Sequence, residues 1–184
     1  MRMSYQAEYQ RSIEQPELFW AEQARTIPWY TSPKTILSQD NDGIYHWFED
    51  GELNTCYMAV DYHVEQGRGE QPAIIYDSPV TGTKNTVTYS ELQSQVAAFA
   101  GVLKSQGVEK GDRVVVYMPM ITEAVVAMLA IARLGAIHSV VFGGFAPHEL
   151  AVRIEDAQPK LIVTASCGIE VAKVIEYKPL VDNA

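Results

Sequence analysis

The sequence predicts an α/β fold, in which an N-terminal helical or irregular extension is followed by part of a doubly wound, mostly parallel sheet with helices on both faces. Strand-like and helix-like segments alternate between residues 113 and 165, the order expected when crossover helices join parallel strands. The continuous apolar runs RVVVYM and KLIVTA are typical of strands buried on both faces. Before residue 70 the chain is rich in aromatic residues and turns. We therefore divide it into residues 1–70 and 71–184.

Short helices and a hairpin are predicted before the parallel sheet. In PELFWAEQAR, Pro16 stands where a helix can begin. The apolar residues of LNTCYMAVDYHVEQ recur at helical spacing, and GRGEQ ends that segment. The runs AIIY and TVTY, separated by the turn-like DSPVTGTKN, predict two strands of a hairpin.

The remaining elements follow in order. Ser90 with Gln93 fits a capping box at the start of a helix, for which Gly107 is a plausible C-terminal cap. RVVVYM is a strand that ends at Pro119, and ITEAVVAMLAIARLG is a helix apolar on almost every side. AIHSVVF, PHELAVRIEDA and KLIVTA predict strand, helix and strand. We expect GIEVAKVIEYKPLVDNA to start another such unit.

Composition and charge exclude several classes of function. The net charge of −9 argues against nucleic acid and anionic membrane surfaces as partners, because both attract basic side chains. The N-terminus lacks the apolar segment of a signal peptide, and no apolar run approaches the roughly 20 residues that span a bilayer. Cys56 and Cys167 form no metal-binding or disulfide pattern. We expect a cytoplasmic protein with free thiols.

The segment VVFGGFAPHEL is the strongest candidate site. Gly143 and Gly144 follow a predicted parallel strand, where ligands bind in open α/β sheets. Glycines at that point let a ligand approach the backbone, and the helix after Pro147 offers free N–H groups. The same glycines could equally serve only to turn the strand into the helix. No GxGxxG or GxxxxGK[ST] motif decides between the two interpretations.

Other motifs favour structural interpretations. TGTK lies in the predicted hairpin and is interpreted as a turn. Ser139 lacks the GxSxG spacing of a nucleophile and is expected in mid-strand. Glu155 and Asp156 diverge on a helix and so do not form an acid–base pair. No histidine or cysteine spacing predicts a metal site.

The chain resembles the AMP-forming short-chain acyl-CoA synthetases, which include the acetyl- and propionyl-CoA synthetases of the adenylate-forming superfamily. The resemblance extends from PELFWAEQA to QPKLIVTAS and is most specific in MPMITEAVVAMLAIARLGAIHSVVFGGF. It implies that residues 1–70 are the family's N-terminal extension and that residues 71–184 are the first, truncated part of its AMP-binding large domain. The stretch ASCGIE…YKPLVDNA is more similar to the propionate enzymes.

The resemblance implies a two-step ligase reaction that requires ATP, coenzyme A and Mg²⁺. A short-chain carboxylate attacks ATP to give an acyl-adenylate and pyrophosphate, and coenzyme A then displaces AMP. The family's TSGTTGxPKG-like phosphate loop and its catalytic lysine do not occur in this sequence. We therefore expect no catalytic residue in this chain, and no activity from the chain alone.

The resemblance also implies which residues bind coenzyme A. Phe142, Gly143 and Gly144 match the block that packs against its adenine, so a bulky residue at Gly143 is expected to block binding. Lys173 matches one of two basic positions near its 3′-phosphate, but the other position is Glu170, which departs from the basic pattern.

Two alternatives to a propionate enzyme remain open. One is an acetate–CoA ligase of the same family. The other is a non-catalytic module that binds coenzyme A or a protein partner. We also expect the excised sheet to expose apolar surface and to self-associate.

Overall fold

The computed structural model describes residues 4–143 and 146–184, apart from the side chains of Phe142 and Glu170. The chain divides into two compact units, Met1–Asn54 and Thr55–Ala184.

The first unit consists of two helices and a small hairpin. Its elements are α1 (Tyr5–Glu14), α2 (Pro16–Ala24), β1 (Leu37–Gln39) and β2 (Tyr45–Trp47), with β1 and β2 antiparallel. Pro16 begins α2 as predicted, since proline fits the first helical turn. Arg11 forms an ion pair with Glu22 and so joins the two helices.

The second unit contains a parallel sheet, two antiparallel hairpins and the helices that cover them. A helical stretch over residues 55–68, which includes the π-helical segments Tyr57–Asp61 and Val64–Arg68, precedes the first hairpin. The remaining elements are β3 (Pro72–Ser78), β4 (Thr83–Thr88), α3 (Tyr89–Ser105), β5 (Arg113–Met118), α4 (Thr122–Arg133), β6 (Ile137–Phe142), α5 (Pro147–Ala157), β7 (Leu161–Thr164), β8 (Cys167–Glu170), β9 (Lys173–Glu176) and α6 (Tyr177–Asp182).

The central sheet is parallel, with strand order β6–β5–β7. Val114 of β5 lies opposite His138 of β6 on one side and Leu161 of β7 on the other. The chain therefore passes from β5 to β6 through α4, and then crosses back over β5 to β7 through α5. This arrangement confirms the predicted α/β fold.

Strand β5 separates two apolar clusters because alternate side chains point to opposite faces. Val114 and Val116 pack with residues of α3, α4 and the helical stretch, including the fully buried Ile131. Val115 and Tyr117 pack on the other face with Leu150 of α5 and with Tyr177. We call these the α3/α4 face and the α5/α6 face.

A buried ion pair ties the helical stretch to the α3/α4 face. Arg133 donates hydrogen bonds of 2.7 and 2.9 Å to the two carboxylate oxygens of Asp61, and Gln93 donates a third, of 2.9 Å. Burial alone would raise the pKa of Asp61, but these hydrogen bonds outweigh it and hold that pKa below its ordinary value. Burial raises the pKa of the nearby Cys56 thiol, and Arg133 offsets only part of that effect.

The predicted capping box is wrong by two residues. The cap of α3 is Thr88, whose hydroxyl accepts a hydrogen bond from the Glu91 N–H while the Glu91 carboxylate accepts one from the Thr88 N–H. Gln93 is instead held by Asp61. Gly107 follows the end of α3 with a φ of 82°, as expected of a C-terminal cap.

The stretch after β7 also differs from the prediction. It forms the hairpin β8–β9 and the short helix α6 rather than another strand–helix unit. Ile175, Leu180 and Val181 pack against the α5/α6 cluster, whereas Val171 and Val174 are exposed. Self-association through exposed apolar side chains stays a prediction. None of the described helices has the length and apolar character needed to cross a membrane.

Candidate functional site

A cleft of about 720 Å³ opens at the carboxyl ends of β5 and β6. One wall is the end of β3 with the following turn, over residues 76–81, and another is the loop over residues 118–121. The β8–β9 hairpin and the start of α6 complete it. Met118 and Phe142 are partners at the ends of the two strands. The cleft therefore lies where open parallel sheets bind ligands.

Gly143 borders this cleft and is buried. A Cβ atom at this position would overlap the Tyr177 hydroxyl, and it would lie 2.8 Å from Tyr177 Cζ and 3.0 Å from the carbonyl oxygen of Met118. A side chain at position 143 therefore meets the protein itself before it meets any ligand. The physical reason for glycine here is the close approach of Tyr177, which the sequence analysis did not foresee.

Tyr177 lies against a second glycine as well. A Cβ atom at Gly168 of β8 would be 2.7 Å from the Tyr177 hydroxyl oxygen and 2.9 Å from Cζ. On the sheet side the ring packs against Tyr117, with the ring centres 5.0 Å apart and the planes inclined by 38°. Burial raises the pKa of Tyr117.

Lys173 is the one predicted site residue whose side chain is both described and charged. It is exposed at the start of β9 and lies opposite Glu170 in the hairpin. Ile175, two residues further along the strand, lines the cleft. Residues two apart lie on the same side of a strand, so Lys173 shares the side of β9 with Ile175, although it does not itself line the cleft.

The structure describes only some of the predicted site residues in full. The backbone of Phe142 ends β6, but its side chain, the side chain of Glu170 and all of Gly144 lie outside the described residues. Gly143 and Lys173 belong to segments that both border the cleft. Sequence reasoning missed Gly168 and Tyr177. The available signal was a lone glycine inside a strand pattern, which often marks a close approach of backbone and side chain.

TGTK, Ser139, Glu155 and Asp156 lie in the elements where the sequence placed them. TGTK covers the end of the turn between β3 and β4 and the first two residues of β4, and Thr81 borders the cleft. Ser139 lies in the middle of β6, and Glu155 and Asp156 are exposed on α5. Within residues 4–143 and 146–184, no three His, Cys, Asp or Glu side chains are grouped so that they could hold a metal ion.

Two family models together match most of the chain. The model described as AMP-binding enzyme matches residues 61–183, and the model described as acetyl-coenzyme A synthetase N-terminus matches residues 5–59. The chain belongs to the AMP-binding enzyme family. The resemblance inferred from the sequence is confirmed.

Individual proteins show the same relationship. The chain is 50% identical over 182 residues to propionate–CoA ligase of Escherichia coli, covering 99% of this chain and 29% of that protein. It is 52% identical over 180 residues to the mitochondrial acyl-CoA synthetase short-chain family member 3 of Bos taurus, covering 98% and 26%. An uncharacterized protein of Pseudomonas aeruginosa is 60% identical over 182 residues, covering 99% and 29%.

A solved structure shares the fold. Acetoacetyl-CoA synthetase from Streptomyces lividans superposes with a TM-score of 0.86 at 26% sequence identity, covering 98% of this chain and 28% of that one. The chain thus spans less than a third of the length of each of these relatives.

Proposed function

We propose that this chain carries part of the coenzyme A site of an AMP-forming short-chain acyl-CoA synthetase. The whole protein would join a carboxylate to ATP as an acyl-adenylate, release pyrophosphate, and then transfer the acyl group to the thiol of coenzyme A with loss of AMP. The observation that supports this most is the match of residues 61–183 to the AMP-binding enzymes, combined with a cleft at the carboxyl ends of β5 and β6.

In this proposal the adenine of coenzyme A packs against Phe142, Gly143 and Gly144, as the family resemblance implies. Gly143 lines the cleft at the carboxyl end of β6, the edge of an open parallel sheet at which ligands bind, and it has no side chain to cover its main chain. Lys173, on the same side of β9 as the cleft-lining Ile175, would then meet the 3′-phosphate. Glu170 opposes Lys173 in the hairpin register, so we expect a single lysine contact at this position.

The ATP phosphates and Mg²⁺ are assigned to none of the described residues, among which no metal-binding group is found. Mg²⁺ supplies charge stabilisation at the phosphates when bound. We place no catalytic residue in this chain, and we propose that the chain alone does not catalyse the reaction. Residues 1–70 would be the extension and residues 71–184 part of the large domain.

Propionate is the substrate that we favour, because a propionate–CoA ligase is 50% identical to this chain. Acetate is the runner-up, supported by the match of residues 5–59 to the acetyl-coenzyme A synthetase N-terminus. A non-catalytic module that binds coenzyme A is the third candidate, since the cleft itself belongs to this chain.

The test is a kinetic comparison in a protein of the relatives' full length that carries this sequence. We expect acyl-CoA formation with a higher kcat/KM for propionate than for acetate. Lys173→Ala should raise the KM for coenzyme A by about tenfold, equal to about 1.4 kcal/mol, and leave the KM for ATP unchanged. Lys178→Ala, which removes another exposed lysine five residues away, is the control.

Each alternative predicts a different result. A higher kcat/KM for acetate would favour the acetate enzyme. Coenzyme A binding without acyl-CoA formation would favour the module. An unchanged KM for coenzyme A in Lys173→Ala would remove Lys173 from the site. Gly143→Val is unsuitable as a test of ligand contact, because its side chain would collide with Tyr177.

A further inference from the structure

Tyr177 stands between the two segments that the proposed coenzyme A site requires. It is the first residue of α6 and directly follows β9, the strand that begins with Lys173. Its ring reaches back to Gly143, at the end of β6. The side chain is only 5% exposed, so its contacts are with the protein.

The ring of Tyr177 is confined on three sides. Gly143 and Gly168 each approach it so closely that neither could carry a Cβ atom without displacement of the ring or the backbone. Tyr117, which is fully buried on the central strand β5, blocks movement toward the sheet. Because packed interiors tolerate little displacement, the position of this ring and the positions of the two glycine backbones depend on one another.

We propose that Tyr177 is a positioning residue that sets the distance between the backbone at Gly143 and the hairpin that carries Lys173. The proposal rests on the proposed function, since it assigns Tyr177 the task of holding two coenzyme A contacts in register. The adenine and the 3′-phosphate belong to one nucleotide, so both contacts form at full strength only when the two segments are correctly spaced.

A shorter side chain at position 177 leaves a gap between the two segments. In Tyr177→Leu the aromatic ring that separates the two glycines is gone, and the hairpin is free to shift relative to β6. The affinity for coenzyme A should then fall, because its 3′-phosphate no longer contacts Lys173 well. The affinity for dephospho-coenzyme A, which lacks that phosphate, should fall less. A general loss of folded protein would instead lower the apparent affinity for both ligands by the same factor.

The experiment is a calorimetric titration of this chain with coenzyme A and with dephospho-coenzyme A. For the wild type we expect coenzyme A to bind about tenfold more tightly than dephospho-coenzyme A. In Tyr177→Leu this ratio should fall below about threefold, while Tyr177→Phe, which keeps the ring, should stay within about twofold of the wild-type ratio. Lys178→Ala should behave as the wild type.

A second pair of variants tests the same contact from the glycine side. Gly168→Ala places a methyl group against Tyr177 and should lower the ratio in the same way. The leucine side chain removes the atoms that this methyl group would meet. The double variant Gly168→Ala with Tyr177→Leu should therefore show the same ratio as Tyr177→Leu alone. Such a non-additive result is expected when two residues are in contact.

The outcomes separate this inference from the proposed function. If the wild type binds coenzyme A with the expected preference but Tyr177→Leu keeps that preference, or if the two single losses add, the positioning role is overturned and the site stands. If the wild type binds neither ligand, the coenzyme A site on this chain is overturned, and the role of Tyr177 with it.

Discussion

The two faces of the central sheet are covered in different ways. On the α3/α4 face, side chains of two long helices and of the helical stretch over residues 55–68 fill the space against β5. On the α5/α6 face, the cluster around Tyr117 and Leu150 is smaller, and Val141, Ile175 and Tyr177 of this cluster also line the cleft at the carboxyl ends of the strands.

This difference follows from the residues that close each face. The α3/α4 face ends in the ion pair of Asp61 with Arg133, whose polar atoms are matched by hydrogen bonds. The α5/α6 face ends in Gly143 and Gly168, which bring backbone and not side chains to the cleft. The first face is thus closed by hydrogen-bonded side chains, whereas on the second face we propose that main chain contacts coenzyme A. We expect substitutions on the first to change stability and substitutions on the second to change binding.

The largest loss of stability is expected from Ile131→Ala. Ile131 of α4 is fully buried in the cluster that includes Val114 and Val116 of β5, so its truncation removes apolar contacts and leaves a cavity. The free energy of unfolding should fall by about 3–4 kcal/mol, measured by urea denaturation. Val102→Ala, at an exposed position on α3, is the control and should change it little. A loss below about 1 kcal/mol for Ile131→Ala would show that this face is not the tightly packed one.

Asp61→Asn should have the next largest effect. It removes the charge that Arg133 binds, leaving a half-buried guanidinium without its partner. Because solvent reaches about a third of the Arg133 side chain, we expect a loss of about 2–3 kcal/mol, at the lower end for a buried pair. Asp77→Asn breaks the exposed pair with Lys84 and should leave the unfolding free energy almost unchanged. Equal effects of the two variants would contradict the account of the buried pair.

The same pair predicts a pH dependence of stability. The pKa of Asp61 is lowered in the folded chain, so its contribution is fully present above the ordinary value of 3.8 and is lost as the pH falls through the lower folded value. The difference in unfolding free energy between wild type and Asp61→Asn should therefore be constant from pH 7 to about pH 5 and shrink below about pH 4. A difference that stays constant down to pH 2 would rule out this linkage.

Thr88→Ala should have the smallest effect of this series. It removes the hydroxyl that caps α3, and we expect a loss of about 1 kcal/mol. Ser90→Ala is a matched control two residues along the same helix. If Ser90→Ala were the more costly variant, the cap would lie where the sequence pattern first placed it.

The capping box shows where sequence reasoning reached its limit. Both Thr88 with Glu91 and Ser90 with Gln93 fit the spacing of a capping box. The choice depends on where β4 ends and on Asp61, which holds Gln93 from a distant part of the chain. The strands and helices of the parallel sheet were predictable, by contrast, because their patterns are local and continuous.

The candidate site was predictable only in part, for the same reason. Gly143 could be placed at a strand end from sequence, but the reason for a glycine there is Tyr177, 34 residues further along the chain. The β8–β9 hairpin was missed because Val171, in its turn, has a φ of 56°, a conformation that a β-branched residue seldom adopts. Contacts between distant residues, and turns without glycine or asparagine, leave little trace in a local pattern.

Amide hydrogen exchange of this chain, measured by mass spectrometry with and without coenzyme A, tests most directly whether coenzyme A binds at the α5/α6 face. We expect coenzyme A to slow exchange in residues 140–143 and 167–177, which border the cleft, and to leave exchange in α3 and α4 unchanged. Unchanged exchange in those two segments at saturating coenzyme A, or slowing confined to α3 and α4, would contradict the assignment of the α5/α6 face as the coenzyme A site.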